Sequence, residues 1–494
     1  MTTLSRSLSV PVHGLAELTT ETRVIATPWS RMVRGIGLGQ HPIGYDPEAA
    51  ARIRHAFALL EAKGVEANPY SRFARLLAEF VLEVVDPDQD PERPETARLL
   101  ATVTAAARAV PNPYFRVMAG CITMDACAKL GLDPALLTDG AADFAAEVLS
   151  DVDTIEADRI EDENAGRHGH YEKLSAYSAV FLALGQLGLR DRLVSGPRDH
   201  VGAALGLLEK IPAPFFRGRG GSMLLSTVSL LGYDAAEPGR DHREEVLDYL
   251  DRADEIGNPP AFPQPMSEAF VKIYPLLTML NATAMSANPD AYLDHGRDRL
   301  AQAKELFAGL TPVESTHMGL YYIIALHNLG KREEQLPDLG GFVETIVGHA
   351  DRIDPGSDYF RNGIAYSYII QTAMLTGRMD LIDDDLLRRF VAGFPDLDRT
   401  DDDRVNRPYP FAYALNVLAE IGADRLLFEP NDAYAGATPL AWVIDRLSPA
   451  ARAEPRLYML HHALISYSLR LRDPRRGETA LFRKFGEARF GGQG

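Results

Sequence analysis

The residue types best suited to chemistry cluster in "RHGHYE", where His168 and His170 stand two apart and Tyr171 and Glu172 follow. An imidazole beside a carboxylate can work as a general acid or base whose ring the carboxylate orients. His-X-His would also admit a divalent metal, but the remaining ligands cannot be named and no cofactor is expected; the alternative is a histidine capping a solvated turn. Upstream lies the acidic run Asp151, Asp153, Glu156, Asp158, Glu161, Asp162 and Glu163. An acid buried in an apolar setting would stay protonated and donate near neutrality, and Asp153 is the candidate for that role. Otherwise the run is a solvated face.

A second candidate is "FFRGRGGSM", with Phe215, Phe216, Arg217 and Arg219 around glycines at what reads as a helix start. Exposed backbone N–H groups and two guanidinium groups would cradle a carboxylate or phosphate. The same glycines would serve close helix packing equally well. A P-loop is excluded because the Lys-Ser/Thr ending is missing. Further polar groups open other apolar segments: Glu268; Glu314 and His317; Asp358, Tyr359 and Arg361; Arg407 and Tyr409; Tyr458, His461 and His462. Of these His317 is expected to be catalytic. Glu268, Asp358, Tyr359, Arg361, Tyr409 and His461, together with Tyr321 further along its segment, are expected to bind substrate. Structural helix caps are the competing reading for each.

These groups must be positioned by helices, because alternating β-branched runs and hairpin turns are nearly absent. Segments such as "DPEAAARIRHAFALLEAKG" and "DHREEVLDYLDRADEIG" place apolar residues three and four apart behind an Asp, which predicts amphipathic helices with one wet face. Between them lie helices apolar all round, such as "NPYFRVMAGCITMDACAKLG" and "ESTHMGLYYIIALHNLGK", several ending in Leu-Gly or Thr-Gly. Their starts, Tyr114, Tyr171, Phe215, Ser267, His317, Tyr359, Tyr409 and Tyr458, recur with an irregular period of roughly fifty residues, the length of an α-hairpin repeat.

The expected fold is therefore all-α: repeated helical hairpins closed into an (α/α)6 or (α/α)7 toroid, with an open α-solenoid as the alternative. Residues 1–90 would be an N-terminal helical arm or extra layer ahead of the Pro- and Asp-rich "DPDQDPERPE", and residues 91–494 the toroid domain. The alternation of buried and amphipathic helices resembles the α/α-toroid superfamily, which includes terpenoid cyclases, LanC-type cyclases, several glycosidases and lyases, and linalool dehydratase-isomerase. The resemblance implies a central cavity whose mouth lies where the inner helices begin. "DVDTIEAD" is similar to the DxDD acid of class II terpenoid cyclases but has Thr154 at the fourth position. The acid-rich "IDDDLLRR" and "DLDRTDDDR" fall in connections between inner helices, and no companion motif for magnesium-bound diphosphate accompanies them. The zinc-ligand pattern of LanC-type cyclases is missing as well.

The chain has 494 residues, 46% hydrophobic and 24% charged, with a formal net charge of −18. No basic cluster is present, which argues against a nucleic-acid partner. The two cysteines, Cys121 and Cys127, point to different helix faces, so neither a disulfide nor a CxxC metal site is expected, and a cytoplasmic setting fits. No signal peptide or membrane span is read. The inner helices supply many aromatic rings, suited to a small hydrophobic, prenyl-like substrate. The expected function is an acid–base enzyme, a lyase, isomerase or cyclase without a nucleotide cofactor; a homo-oligomer is compatible. The alternatives are a non-catalytic helical-repeat binding protein and a carbohydrate-active toroid with paired carboxylates.

Overall fold

The computed structural model describes residues 14–15, 18–25, 42–88, 94–139, 142–157, 161–162, 167–196, 198–211, 214–233, 236–237, 240–251, 266–286, 288–293, 298–353, 359–393, 408–447 and 457–491. The fold is all-α. The helices are α1 (Thr20–Ile25), α2 (Pro47–Ala62), α3 (Pro69–Val85), α4 (Pro94–Arg108), α5 (Pro113–Lys129), α6 (Phe144–Asp151), α7 (Gly169–Gln186), α8 (His200–Leu205), α9 (Pro214–Leu230), α10 (His242–Asp251), α11 (Glu268–Ala284) and α12 (Asp290–Leu293). The order continues with α13 (Arg299–Ala308), α14 (Pro312–Asn328), α15 (Arg332–Gln335), α16 (Leu339–Gly348), α17 (Tyr359–Leu375), α18 (Asp384–Ala392), α19 (Pro408–Glu420), α20 (Arg425–Phe428), α21 (Pro439–Asp445), α22 (Tyr458–Arg470) and α23 (Ala480–Phe490). Among the described residues, strands occur only as three two-residue antiparallel ribbons: Thr138–Asp139 with Ala142–Asp143, Glu161–Asp162 with Arg167–His168, and Ala236–Glu237 with Arg240–Asp241. Each ribbon leads directly into a helix.

Local sequence explains where the helices begin and end. Asn68 and Asn112 cap α3 and α5 through the N–H groups of Tyr70 and Tyr114, and a proline follows each at the first helical position. At the other end, Gly131, Gly188, Gly232, Gly330, Gly377 and Gly422 all adopt positive φ just past α5, α7, α9, α14, α17 and α19. The residue after each glycine donates back into the last turn, as Leu189 N does to Leu184 O at 2.8 Å and Lys331 N to Leu326 O at 2.9 Å. This is the Schellman stop, and it gives the Leu-Gly and Thr-Gly endings their meaning.

Contacts divide the chain into two compact units, one of residues 1–18, 34–111 and 338–477, the other of residues 19–33, 112–337 and 478–494. In the second unit α5, α7, α9, α11 and α14 pack in chain order, each on the next, with shorter helices returning the chain between them. Helix starts meet helix starts: Tyr171 touches Phe216, and Phe270 touches His317. Ends meet ends: Gln186 donates to Asp125, and Asn328 to Asn281. The row is therefore parallel. In the first unit α17, α19, α22 and α3 form a corresponding row, joined at the starts by a Tyr70–His462 hydrogen bond and at the ends by Arg470 and Glu420, 3.2 Å apart. The apolar helices of both rows are buried nearly all round, which offsets the conformational cost of ordering them.

Candidate functional site

In the second unit the two ends of the helix row are treated differently. At the carboxyl ends the short α1 packs on α23, and α23 packs against α7 and α9. Lys129 lies 3.1 Å from Asp125 and 3.2 Å from Glu21, all three buried, while Arg489 donates to the last-turn carbonyl of Ala284 at 2.8 Å. A buried ammonium between two carboxylates needs that complete set of partners, because removing one strands a charge. Burial raises the Asp125 pKa, with Lys129 acting against it. This end of the row is thus covered by the chain itself. The helix starts at the opposite end carry the residues with chemical capability.

There the first three turns of α7, α9, α11 and α14 bring a chain of rings together. Tyr171 meets Phe216 edge-on at 5.1 Å, Phe216 meets Phe215 at 5.2 Å, and Phe215 meets Tyr274 at 5.9 Å. Tyr274 in turn contacts Phe270 at 6.0 Å, His317 at 6.1 Å and Tyr321 at 6.1 Å. His317 also lies 5.3 Å from Phe270 and 5.9 Å from Tyr321. The Arg219 guanidinium stands over the Tyr274 ring at 5.0 Å, a cation–π geometry. The phenyl and phenol rings are buried, whereas His317 is half-buried and so marks the accessible edge of the cluster.

The glycines of "FFRGRGGSM" belong to packing. The helix begins at Pro214, so Gly218, Gly220 and Gly221 lie inside α9 rather than at its opening turn. A Cβ on Gly220 would sit 3.1 Å from Tyr171, and one on Gly218 would touch Pro275 of α11. These small residues let α9 approach both neighbours and bring Arg219 to Tyr274. Arg217 turns away, its Nε donating to the Ile211 carbonyl at 2.6 Å.

The other expected site residues fall in varied settings. His170 and Glu172 are half-buried in the first turn of α7, next to the buried Tyr171. His168 precedes the helix, in the ribbon strand Arg167–His168, and its side chain lies outside the described residues. Asp153, in a 3-10 turn, accepts from the Tyr177 hydroxyl at 2.8 Å and from Arg198 at 2.5 Å. It is thus held by a phenol and a guanidinium rather than by the apolar ring that protonating an alkene asks of an acid. Glu268 is exposed and pairs with Lys272 at 2.5 Å. Asp358 lies outside the described residues; the backbones of Tyr359, Arg361 and Tyr409 are helical, and their side chains are also outside. His461 is buried in α22, stacked on Phe57 of α2 at 6.2 Å. Burial, reinforced by His462, pushes its pKa down to about 3, so it remains a neutral core imidazole.

Glu314 is buried beneath the cluster as a cap. Its carboxylate accepts from Ser267 N and Oγ at 2.8 and 2.7 Å and from Thr311 N and Oγ1 at 3.0 and 2.9 Å. Burial would raise its pKa, but these donors prevail and lower it. The acid ties the starts of α11 and α14 together, which fixes Phe270 and Tyr274 relative to His317 and Tyr321.

Tyr274, the hub, is not set apart by composition or spacing from the many other aromatic rings of the apolar helices. The signal that singles it out is Pro275, directly after it inside α11: proline removes an N–H from the helix ladder and narrows the conformations open to its neighbour. Among the described residues no three His, Cys, Asp or Glu side chains converge to hold a metal ion. Both cysteines are buried thiols of α5, Cys127 pushed up to about 12 by burial and Asp125, which keeps it inert. No described helix is long and apolar enough to cross a membrane. Comparison of the chain with protein-family models, curated proteins and solved structures finds no match.

Proposed function

We propose that the chain is an acid–base enzyme of lyase, isomerase or cyclase type, acting on a small hydrophobic substrate held at the starts of α7, α9, α11 and α14. The observation that carries this reading is the half-buried His317 enclosed by Phe270, Tyr274 and Tyr321, with Arg219 over the hub ring. An imidazole at the edge of an apolar ring cluster can remove a proton from carbon and return it elsewhere, while ring faces stabilise cationic character in between. A prenyl-like skeleton suits those rings, and the fold proposed with it is the α/α toroid rather than the open α-solenoid. A cytoplasmic location accords with the two buried thiols. The paired-carboxylate alternative has weaker support, since Glu314 is engaged by caps and Glu268 by Lys272.

The test is turnover of a panel of prenyl alcohols and acids by wild type, His317→Ala and Tyr274→Phe. The expected outcome is that His317→Ala loses on the order of 10²–10⁴-fold in kcat while the folded state persists. Equal turnover by wild type and His317→Ala would remove the imidazole from the chemistry.

A further inference from the structure

The acid–base reading leaves the substrate's polar group unspecified, and one side chain of the same cluster specifies it. Arg219 is 7% exposed, yet among the described residues no carboxylate pairs with it, and its Nε–H finds no hydrogen-bond acceptor. The hydroxyl of Tyr274, whose ring it covers, is likewise buried without a partner. Every other nine-tenths-buried cation described in this unit has a carboxylate: Lys129 has Asp125 and Glu21, and Arg299 has Asp251 at 2.7 Å. A buried, unpaired guanidinium is costly to a fold and is retained where a ligand supplies the anion.

Resting on the acid–base reading, we infer that Arg219 and the Tyr274 hydroxyl receive a carboxylate at one end of the hydrophobic substrate, so that the substrate class is a small apolar carboxylic acid. The free Nε together with a terminal nitrogen of the same fork matches a carboxylate side-on through two parallel hydrogen bonds. The charge count favours a monoanion. A diphosphate needs several cations, whereas Arg217 points to a backbone carbonyl and Lys272 is held by Glu268. With its head on Arg219, the apolar body of such an acid would extend among Phe215, Phe270 and Tyr321 toward His317.

Calorimetric titration with geranate, geraniol and geranyl diphosphate, which share a skeleton and differ in the head, tests this on wild type, Arg219→Gln and Arg219→Met. Geranate should bind wild type about tenfold or more tightly than geraniol or the diphosphate, and the preference should vanish in both variants. Melting without ligand gives a second readout: Arg219→Met should match or exceed wild type, because it removes an unpaired buried charge. Equal binding of geranate and geraniol by wild type, retention of the preference in Arg219→Gln, or a strongly lowered melting temperature for Arg219→Met would overturn the inference. Binding of geranate through Arg219 without any turnover would instead sink the enzymatic reading and leave the anion site standing.

Discussion

Glu314 receives four hydrogen bonds from two helix caps, so its loss should exceed that of a surface acid. Glu314→Gln keeps the shape but turns one acceptor into a donor facing Ser267 or Thr311. The expected cost is about 1–3 kcal/mol, measured by urea denaturation. The pH sign follows from the lowered pKa: the contribution is complete above the unfolded-state value of 4.5 and is lost as pH falls through the folded-state value, and the variant should lack that acid limb. Gly169 is constrained differently. A Cβ there would overlap the carbonyl of Ala157, so Gly169→Ala must shift the backbone that leads into α7. Its melting temperature should fall, and an unchanged value would mean that the backbone there yields to a methyl group without cost. At this scale the sequence reveals types but not orientations. Glu268 and Glu314 both look like polar openers, and only the tertiary fold makes one a solvated ion pair and the other a cap. Arg217 and Arg219 stand two apart on one helix, and that offset turns them to different surroundings.

Among elements, the apolar segments read from the sequence all became helices of the two parallel rows, because burial on every side leaves an unambiguous composition and the Gly stops punctuate it. The omission is α3. Its opening, Asn68-Pro69-Tyr70, repeats the Asn112-Pro113-Tyr114 opening of α5, but its more amphipathic pattern resembles an outer helix, and its place beside α22 depends on a contact between residues far apart in sequence. The covering of the carboxyl ends by α1 and α23 was equally illegible, since it joins the two ends of the chain. It can be tested at Lys129. Lys129→Met leaves Asp125 and Glu21 facing each other without a cation, and the expected loss is about 3–5 kcal/mol. A loss below about 1 kcal/mol would mean that the three groups are not sealed from water.

For the molecule as a whole, each unit contains an imidazole that folding keeps neutral. His461 in the first unit is held down to about 3 by burial and His462. His327 in the second is held down to about 4 by burial first and then by Arg23 and Arg332. Because both folded-state values lie below the unfolded 6.5, the stability these groups contribute is complete above pH 6.5 and is lost as pH falls toward the folded-state values, at ~1.4 kcal/mol per pH unit for each ring. Melting curves between pH 7 and 5 should therefore move steadily downward, and His461→Leu should flatten the slope. The all-α class and the succession of apolar helices were legible because they are written in periodicity and punctuation. The function was legible only as far as a list of polar openers, since which of them meet depends on how the helices are rotated against one another. A crystal structure of the protein with geranate would show whether the helix starts around Tyr274 receive a small apolar acid. Its carboxylate should lie within hydrogen-bond distance of Arg219 Nε and its chain among Phe215, Phe270 and Tyr321. Geranate bound elsewhere, or Arg219 paired with a carboxylate of the protein itself, would contradict it.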